Sequence, residues 1–479
     1  MQHIPLQAGN PVDVEPRESP SSRPGCCTLE LYATRNRWYQ RNLRVCIPGS
    51  RSQVRMLRIF FFDIDCLRPD HLGCYGYGRP TSPTIDRIAS EGIRFEHYYA
   101  ASSPCLPSRA CLFSGRFGIR NGVVSNVGEG AQFHIRKRPY GGPQPDNTML
   151  MRQLRSHGIE TVAFSNFADR HNAWWFTCGW TEFHTPNLKA GGETADEVNE
   201  PALRWLRHNA RRDNYLFYIN YWDVHRPYKM DPSWARGLEG YPVQDWPDEE
   251  TIRRHQSIDG HFTAQRQFRN GKSPFPLMPG SISSRRDFEH LINGYDAAIA
   301  YTDAHVKAIL DELERQDVLD DAVLIVSADH GDAFGEHGIY SDNVCADECI
   351  HRIPLIIRWP GVSAVNQSSP ALLYNVDLGP TLCDILDIPT PGDWDGLSFK
   401  ENIQGKPGLD RDLPSYFTAA VAARPGRTGS TAAAGITGRA GANSGHPGEV
   451  PLGAAGLSVR LHHPARCVPF ILGYRHRRG

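Results

Sequence analysis

The run "MLRIFFFDID", Met56 to Asp65, constrains this chain most, because an almost unbroken apolar stretch ending in acids fits neither an amphipathic helix nor a half-solvated strand. Such a run is expected of a strand buried on both faces, in a largely parallel sheet covered by helices. In open sheets of that kind ligands collect at the carboxyl ends of the strands, where Asp63 and Asp65 lie.

The rest of the chain repeats the theme. "TSPTIDRIASEGI" predicts a helix with Ser82 as N-cap, Pro83 at its first position and Gly92 as its stop. "TMLMRQLRSHGIETVAFSN" reads as helix, Gly158 stop, strand, and "EPALRWLRHNARRDNYLFYINYWDVH" does the same. The long helical period of "FEHLINGYDAAIAYTDAHVKAILDELERQ" runs into the apolar "DAVLIVSADHGD". The expected fold is therefore α/β, a mostly parallel central sheet with helices on both faces. Its strands deliver Asp63 and Asp65, then Asp223 and His225, then Asp329 and His330, to one edge.

Outside this region the pattern fades. Residues 1–55 are rich in Pro, Arg and Ser and read as a disordered or misassigned leader, with Met56 as a plausible start. Residues 56–400 form the expected catalytic domain. Residues 401–479 turn to Gly, Ala, Pro and Arg without a strand or helix period until the last dozen, and read as a disordered tail and an incomplete C-terminal subdomain.

Charge narrows the function. With 52 Lys and Arg against 53 Asp and Glu, the chain is not built to bind nucleic acid or an anionic membrane, so any anion recognition is local. The 12 cysteines include no C-x-x-C pair, which favours reduced thiols. No apolar run of about 18 residues and no signal-like N-terminus appears, so the expectation is a cytoplasmic protein.

Acids at the end of a buried strand are costly unless paired, capped or metal-bound. Capping a following turn is the plainer role for Asp63 and Asp65; metal binding is the chemical one. "SADHGDAFGEHG" adds Asp329 and His330, with glycines that let the backbone turn closely around a ligand. Oxygen ligands from Asp65 and Asp329 suit calcium or magnesium, with His330 as a nitrogen ligand or outer hydrogen-bond donor. Glu336 and His337 read as solvated loop residues. His225, in "DVHRPY", is either a structural hydrogen-bonder or a catalytic group, and its place at the sheet edge favours the second.

"SSPCLPSRACLFSGR", Ser102 to Arg116, carries C-x-P-S-R ahead of an apolar, helix-like run. With "DIDCLRPDHLGCYGY" before it and "ADHGDAFGEHG" after it, the chain from about Met56 to Ser398 resembles the type I sulfatases of the alkaline phosphatase superfamily. The resemblance implies a sulfuric ester hydrolase in which Cys105 is oxidised by a formylglycine-generating enzyme. A hydrated aldehyde offers two hydroxyls on one carbon, one to attack sulfur and one to expel sulfate. The alternative for Cys105 is an inert buried thiol. Arg109, one helical turn on, would hold the hydrated aldehyde and neutralise developing charge. One divalent cation, calcium before magnesium, would be held by Asp65, Asp329 and His330, with Cys105 and, more weakly, Asp63 completing the set. His225 would bind sulfate or protonate the leaving alcohol.

The chain departs from its relatives in two places. Asp63 and Asp65 are split by Ile64 where many relatives have adjacent acids, and the usual lysines after "TVAFSN" and downstream of "DHG" are missing. His171 and His351 are the candidate substrate-binding replacements, with structural roles as the alternative. The expected partner is a small sulfated molecule. Competing readings are a phosphonate monoester or phosphodiester hydrolase using the same site, and a silent relative retained for binding. The sequence carries no sign of oligomeric state.

Overall fold

The computed structural model describes residues 57–133, 148–187, 189, 192–258, 273–343 and 345–411, and strands at Thr418–Val421, Ala434–Thr437, Ser458–His463 and Arg466–Ile471. The leader expected over 1–55, and the tail beyond Arg411 apart from these strands, lie outside the described residues.

Nine strands organise the centre: β1 Arg58–Ile64, β2 Ile93–Tyr99, β3 Ser102–Ser103, β4 Glu160–Phe164, β5 Glu182–His184, β6 Tyr215–Tyr221, β7 Val323–Ser327, β8 Leu355–Arg358 and β9 Gln367–Tyr374. Eight of them form one sheet in the order β5-β4-β6-β1-β7-β8-β2-β9. Every pairing is parallel except those of β8, which runs antiparallel to both β7 and β2. All seven residues of β1 are buried, between β6 and β7. Burial of a phenylalanine is worth about 2–3 kcal/mol, so Phe60, Phe61 and Phe62 alone commit this strand to the centre.

The helices follow their sequence signals with instructive exceptions. Ser82 sits at the N-cap position of α1, Pro83–Ser90, but its hydroxyl does not cap; it contacts Asp86 and accepts from Gly73 N. The open N–H groups of Thr84 and Ile85 donate instead to the Asp303 carboxylate, at 2.9 and 2.8 Å, from the long helix Arg285–Arg315. Gly92 is needed for space: a Cβ there would lie 2.3 Å from the Ile357 carbonyl oxygen of β8. Gly158 has φ of +85°, the left-handed stop expected of it.

Packed chain continues past residue 400. The helix Lys400–Ile403 buries Ile403, and Arg411 pairs with Asp377 at 2.5 Å. Beyond it, Thr418–Val421 runs parallel to β3 and antiparallel to Ala434–Thr437. Among the described residues no helix is long and apolar enough to cross a membrane.

Candidate active site

The central strands aim their carboxyl ends at one point. Asp63 lies in register with Asn220 of β6 and Ser327 of β7, and Asp65 follows β1 directly. Asp329 and His330 follow β7, and His225 follows β6. Facing them, α2 spans Cys105–Ser114 and starts at Cys105 itself. All ten of its residues are buried, so it is a core helix and not a surface one.

Ser108 explains the serine of C-x-P-S-R. Its hydroxyl donates to the Asp329 carbonyl at 2.5 Å and accepts from Asn375 Nδ2 at 3.1 Å, tying the first turn of α2 to the loop after β7. At the other end Gly115 takes a left-handed φ of +62°, and a Cβ would meet the Trp394 ring at 2.6 Å.

Arg109 is fully buried among acids. Its Nε and Nη2 donate to the two oxygens of Asp63 at 2.8 and 2.9 Å, and Nη1 donates to Asp65 at 2.9 Å and Asp329 at 2.6 Å. The Tyr218 hydroxyl also donates to Asp63. Burial raises the Asp63 and Asp329 carboxyls, with Arg109 pulling the other way. Sequence reasoning expected Arg109 to hold the nucleophile; in the structure its hydrogen bonds run to the three acids.

Cys105 sits among the same groups, with Sγ 3.2 Å from His330 Nε2 and 4.0 Å from an Asp65 oxygen. Burial, then the charges of Asp65 and Asp329, push its thiol well above the usual cysteine range. An unmodified Cys105 is therefore protonated and a poor nucleophile.

Asp65, Cys105, Asp329 and His330 each bring one donor atom within 4.8 Å of the others. Two carboxylates with an imidazole suit a hard divalent cation. The charge balance agrees, since three buried carboxylates face the single charge of Arg109 and need further positive charge. Asp63, with both oxygens on Arg109, stands outside this group. Cys66, not singled out as a site residue from sequence, forms a second cluster with Asp65 and His225, and has a positive φ of 60°.

His225 lies at the wall of a small cleft that Arg170, Glu193, Trp222, Asp223, Arg226 and Lys229 also line. Its Nδ1 is 2.6 Å from the Arg226 carbonyl, which fixes Nδ1 as the donor. Burial, then Arg170, lowers its pKa to about 3, so the ring is neutral at pH 7. His171 is wedged beside Phe167 and Trp222, and its buried Nε2 has no hydrogen-bond partner among the described residues. Its pKa falls to about 3 through burial and the adjacent Arg170. His351 is fully buried below β3, with Nδ1 2.8 Å from the Ala100 carbonyl and Nε2 3.4 Å from Ser103 Oγ. Glu336 is half-buried and pairs with Arg68 at 3.0 Å, and His337 is exposed, as expected of a solvated loop residue, and pairs with Asp347 at 2.8 Å.

Arg170 and Trp222 were missed from sequence. The Arg170 guanidinium lies 3.7 Å from the centroid of the Trp222 ring, a contact between separate segments that leaves no local pattern.

Comparison with known proteins matches this architecture. The sulfatase family model matches residues 59–388. An N-acetylglucosamine-6-O-sulfatase of Bacteroides thetaiotaomicron is 22% identical over 446 residues, covering 78% of this chain and 76% of that protein. A choline-sulfatase of Rhizobium meliloti is 24% identical over 396 residues, covering 72% of each. A solved protein in complex with its substrate D-glucosamine-2-N,6-O-disulfate superposes with a TM-score of 0.60 at 20% identity, over 78% of this chain and 85% of that one. The phosphonate monoester hydrolase of Agrobacterium radiobacter does so with a TM-score of 0.56 at 17% identity, over 77% and 81%. The chain belongs to the sulfatase family, whose members are sulfuric ester hydrolases.

Proposed function

We propose that the chain hydrolyses the sulfate ester of a small molecule at Cys105, after a formylglycine-generating enzyme has matured that cysteine. The observation that carries this reading is the meeting of Cys105 Sγ with Asp65, Asp329 and His330 at the first turn of a buried helix. A raised thiol pKa makes the unmodified side chain unsuited to attack, so a matured nucleophile is the better use of the position.

Asp65, Asp329 and His330, with the side chain at 105, would hold one divalent cation, calcium before magnesium. Once bound, such an ion supplies Lewis-acid polarisation of a sulfate oxygen. Formylglycine supplies an oxygen nucleophile in place of sulfur. Arg109 fixes the three acids in place through its four hydrogen bonds, while the α2 N-terminus adds a favourable potential for an anion. His225, neutral and held through Nδ1, offers its other nitrogen to the ester or the leaving alcohol.

Peptide mass measurement over residue 105, after co-expression with the maturation enzyme, should show aldehyde or hydrate in place of thiol. Cys105→Ala should abolish sulfate release while leaving the melting temperature within a few degrees. Full activity in that variant would remove the reading.

Phosphonate monoester hydrolysis is the second reading. It is favoured by the shared fold of the Agrobacterium radiobacter enzyme and by the tetrahedral anion common to both reactions. The ratio of kcat/KM for an aryl sulfate and an aryl phosphonate decides between them.

A further inference from the structure

Cys66 puts a sulfur donor beside the acids. Its thiol donates to Asp65 Oδ1 at 3.4 Å, and one donor atom each of Asp65, Cys66 and His225 lies within 4.8 Å of the others. The residue is held from both sides: its N–H donates to Asp329 at 3.2 Å, and its carbonyl accepts from the Tyr295 hydroxyl at 2.7 Å. Asn343 Nδ2 donates toward Sγ at 3.8 Å, a contact that suits a thiolate better than a thiol.

The two histidines serve different sulfurs. His330 gives its Nδ1 proton to the Gly331 carbonyl at 2.8 Å and turns Nε2 to Cys105 Sγ at 3.2 Å. His225 gives its Nδ1 proton to the Arg226 carbonyl, which leaves its lone pair on Nε2. Asp65 is common to both groups. Its Oδ2 accepts from Arg109 at 2.9 Å, while Oδ1 faces both thiols, 3.4 Å from Cys66 Sγ and 4.0 Å from Cys105 Sγ.

Donor chemistry separates the groups. Two carboxylates with an imidazole suit a hard cation, whereas one carboxylate, one imidazole and one thiolate suit zinc. Tetrahedral zinc with ordinary bond lengths sets its ligand atoms about 3.4–3.6 Å apart, the spacing already present between Cys66 Sγ and Asp65 Oδ1. Burial, then the charges of Asp65, Asp332 and Asp329, hold the proton on Cys66, and the same negative field favours a dication in its place. His225 borders the cleft, which supplies an entry path.

We propose that Asp65 Oδ1, Cys66 Sγ and His225 Nε2 form a zinc site with an open fourth position. Zinc there excludes a cation from the neighbouring Asp65, Asp329 and His330 group, because both need Asp65 Oδ1. As the Zn–S bond forms, the S–H bond breaks and its proton leaves to solvent. The site stands on this geometry alone. Its effect on turnover rests on the sulfatase reading, since zinc would take Asp65 and His225 from the reaction and so inhibit it.

Cobalt(II) is the probe, because a bond to thiolate gives it a charge-transfer band in the near ultraviolet. It is titrated into the full chain carrying Cys105→Ala, which removes the other nearby sulfur. The band should saturate at about one cobalt per chain and disappear as zinc displaces the probe. Cys66→Asp should lose the band, and its aspartate tolerates the left-handed backbone of position 66. Should that variant melt more than about 5 °C lower, Cys66→Ser carries the same test. No band in the parent chain, or an equal band in either Cys66 variant, overturns the site. His225→Gln should weaken zinc binding at least about ten-fold, and unchanged affinity there removes His225 as a ligand. Calcium at a hundred times its dissociation constant should weaken zinc binding about 100-fold, and indifference to calcium overturns the exclusion. In matured wild type, zinc should slow hydrolysis of para-nitrophenyl sulfate, and Cys66→Asp should raise the zinc needed at least about ten-fold. Zinc binding without inhibition would keep the site and remove its effect on turnover. A matured wild type that releases no sulfate would remove the catalytic reading and leave the cobalt result standing.

Discussion

Asp63 and Asp65 lie two positions apart, so a strand presents both on one face, with Ile64 turned into the core behind them. Both reach Arg109, yet their remaining contacts differ. Asp63 gives both oxygens to Arg109 and accepts from Tyr218, whereas Asp65 keeps one oxygen near the thiols of Cys66 and Cys105. Asp329 faces Arg109, His330 N and Cys66 N at once. Asp329→Asn should therefore weaken calcium binding at least about ten-fold, and Asp63→Asn by only a few-fold, in calorimetric titrations. A larger loss in Asp63→Asn would mean that Asp63 is itself a ligand. Sequence motifs bring Asp65, Cys105, Asp329 and His330 forward as candidates, and the structure draws those four together, because glycine- and proline-marked turns fix each relative to its own strand or helix. They do not say which acid Arg109 grips with two prongs, since that depends on the distance between α2 and β1. Nor do they reveal Arg170, which meets Trp222 only in three dimensions.

At the scale of elements, periodicity places helices and strands well, but the groups that finish them come from elsewhere. Ser82 has the identity and position of an N-cap, yet Asp303, on the long helix Arg285–Arg315, binds the open N–H groups of α1. A local reading has no access to that long-range cap. Burial pushes the Asp303 pKa up to about 6, even though Thr84 and Ile85 pull it down. A raised carboxyl makes the native state bind more protons than the unfolded state between the ordinary value of 3.8 and about 6. The stability due to Asp303 is thus greatest at low pH and declines as pH rises through that window. Asp303→Asn removes this titration, so its stability should vary less than that of the wild type between about pH 4 and 6 in denaturant titrations. At neutral pH the variant should lose about 1–2 kcal/mol from the weakened cap. A parallel pair of pH profiles would show that Asp303 does not titrate in this range.

For the molecule as a whole, the parallel sheet was legible because β1, β6 and β7 are continuously apolar and are separated by helical periods. The strand order and the reversed β8 were not. "LIIR" is as apolar as a parallel strand, and direction is set by the path of the connecting chain. The order matters to function, since it sets β6, β1 and β7 side by side and so gathers acids from distant segments. Gathering them has a consequence for stability. Asp63, Asp65 and Asp329 converge in a buried site with one guanidinium, and an ion that binds only the folded chain would relieve their repulsion. Such binding adds about 2.7 kcal/mol when free calcium is a hundred times its dissociation constant, which in a domain this large corresponds to a rise of about 3–8 °C in Tm. Thermal melts in excess calcium and in chelator should differ by that amount in the wild type. The difference should shrink to about 1 °C or less in Asp329→Asn, where a ligand is missing but the fold's strands are intact. Cys105→Ala should keep most of it, because two carboxylates and His330 remain. Identical melts of the wild type in calcium and in chelator would show that the acid cluster is balanced without a cation, and that the metal should be removed from the proposed mechanism.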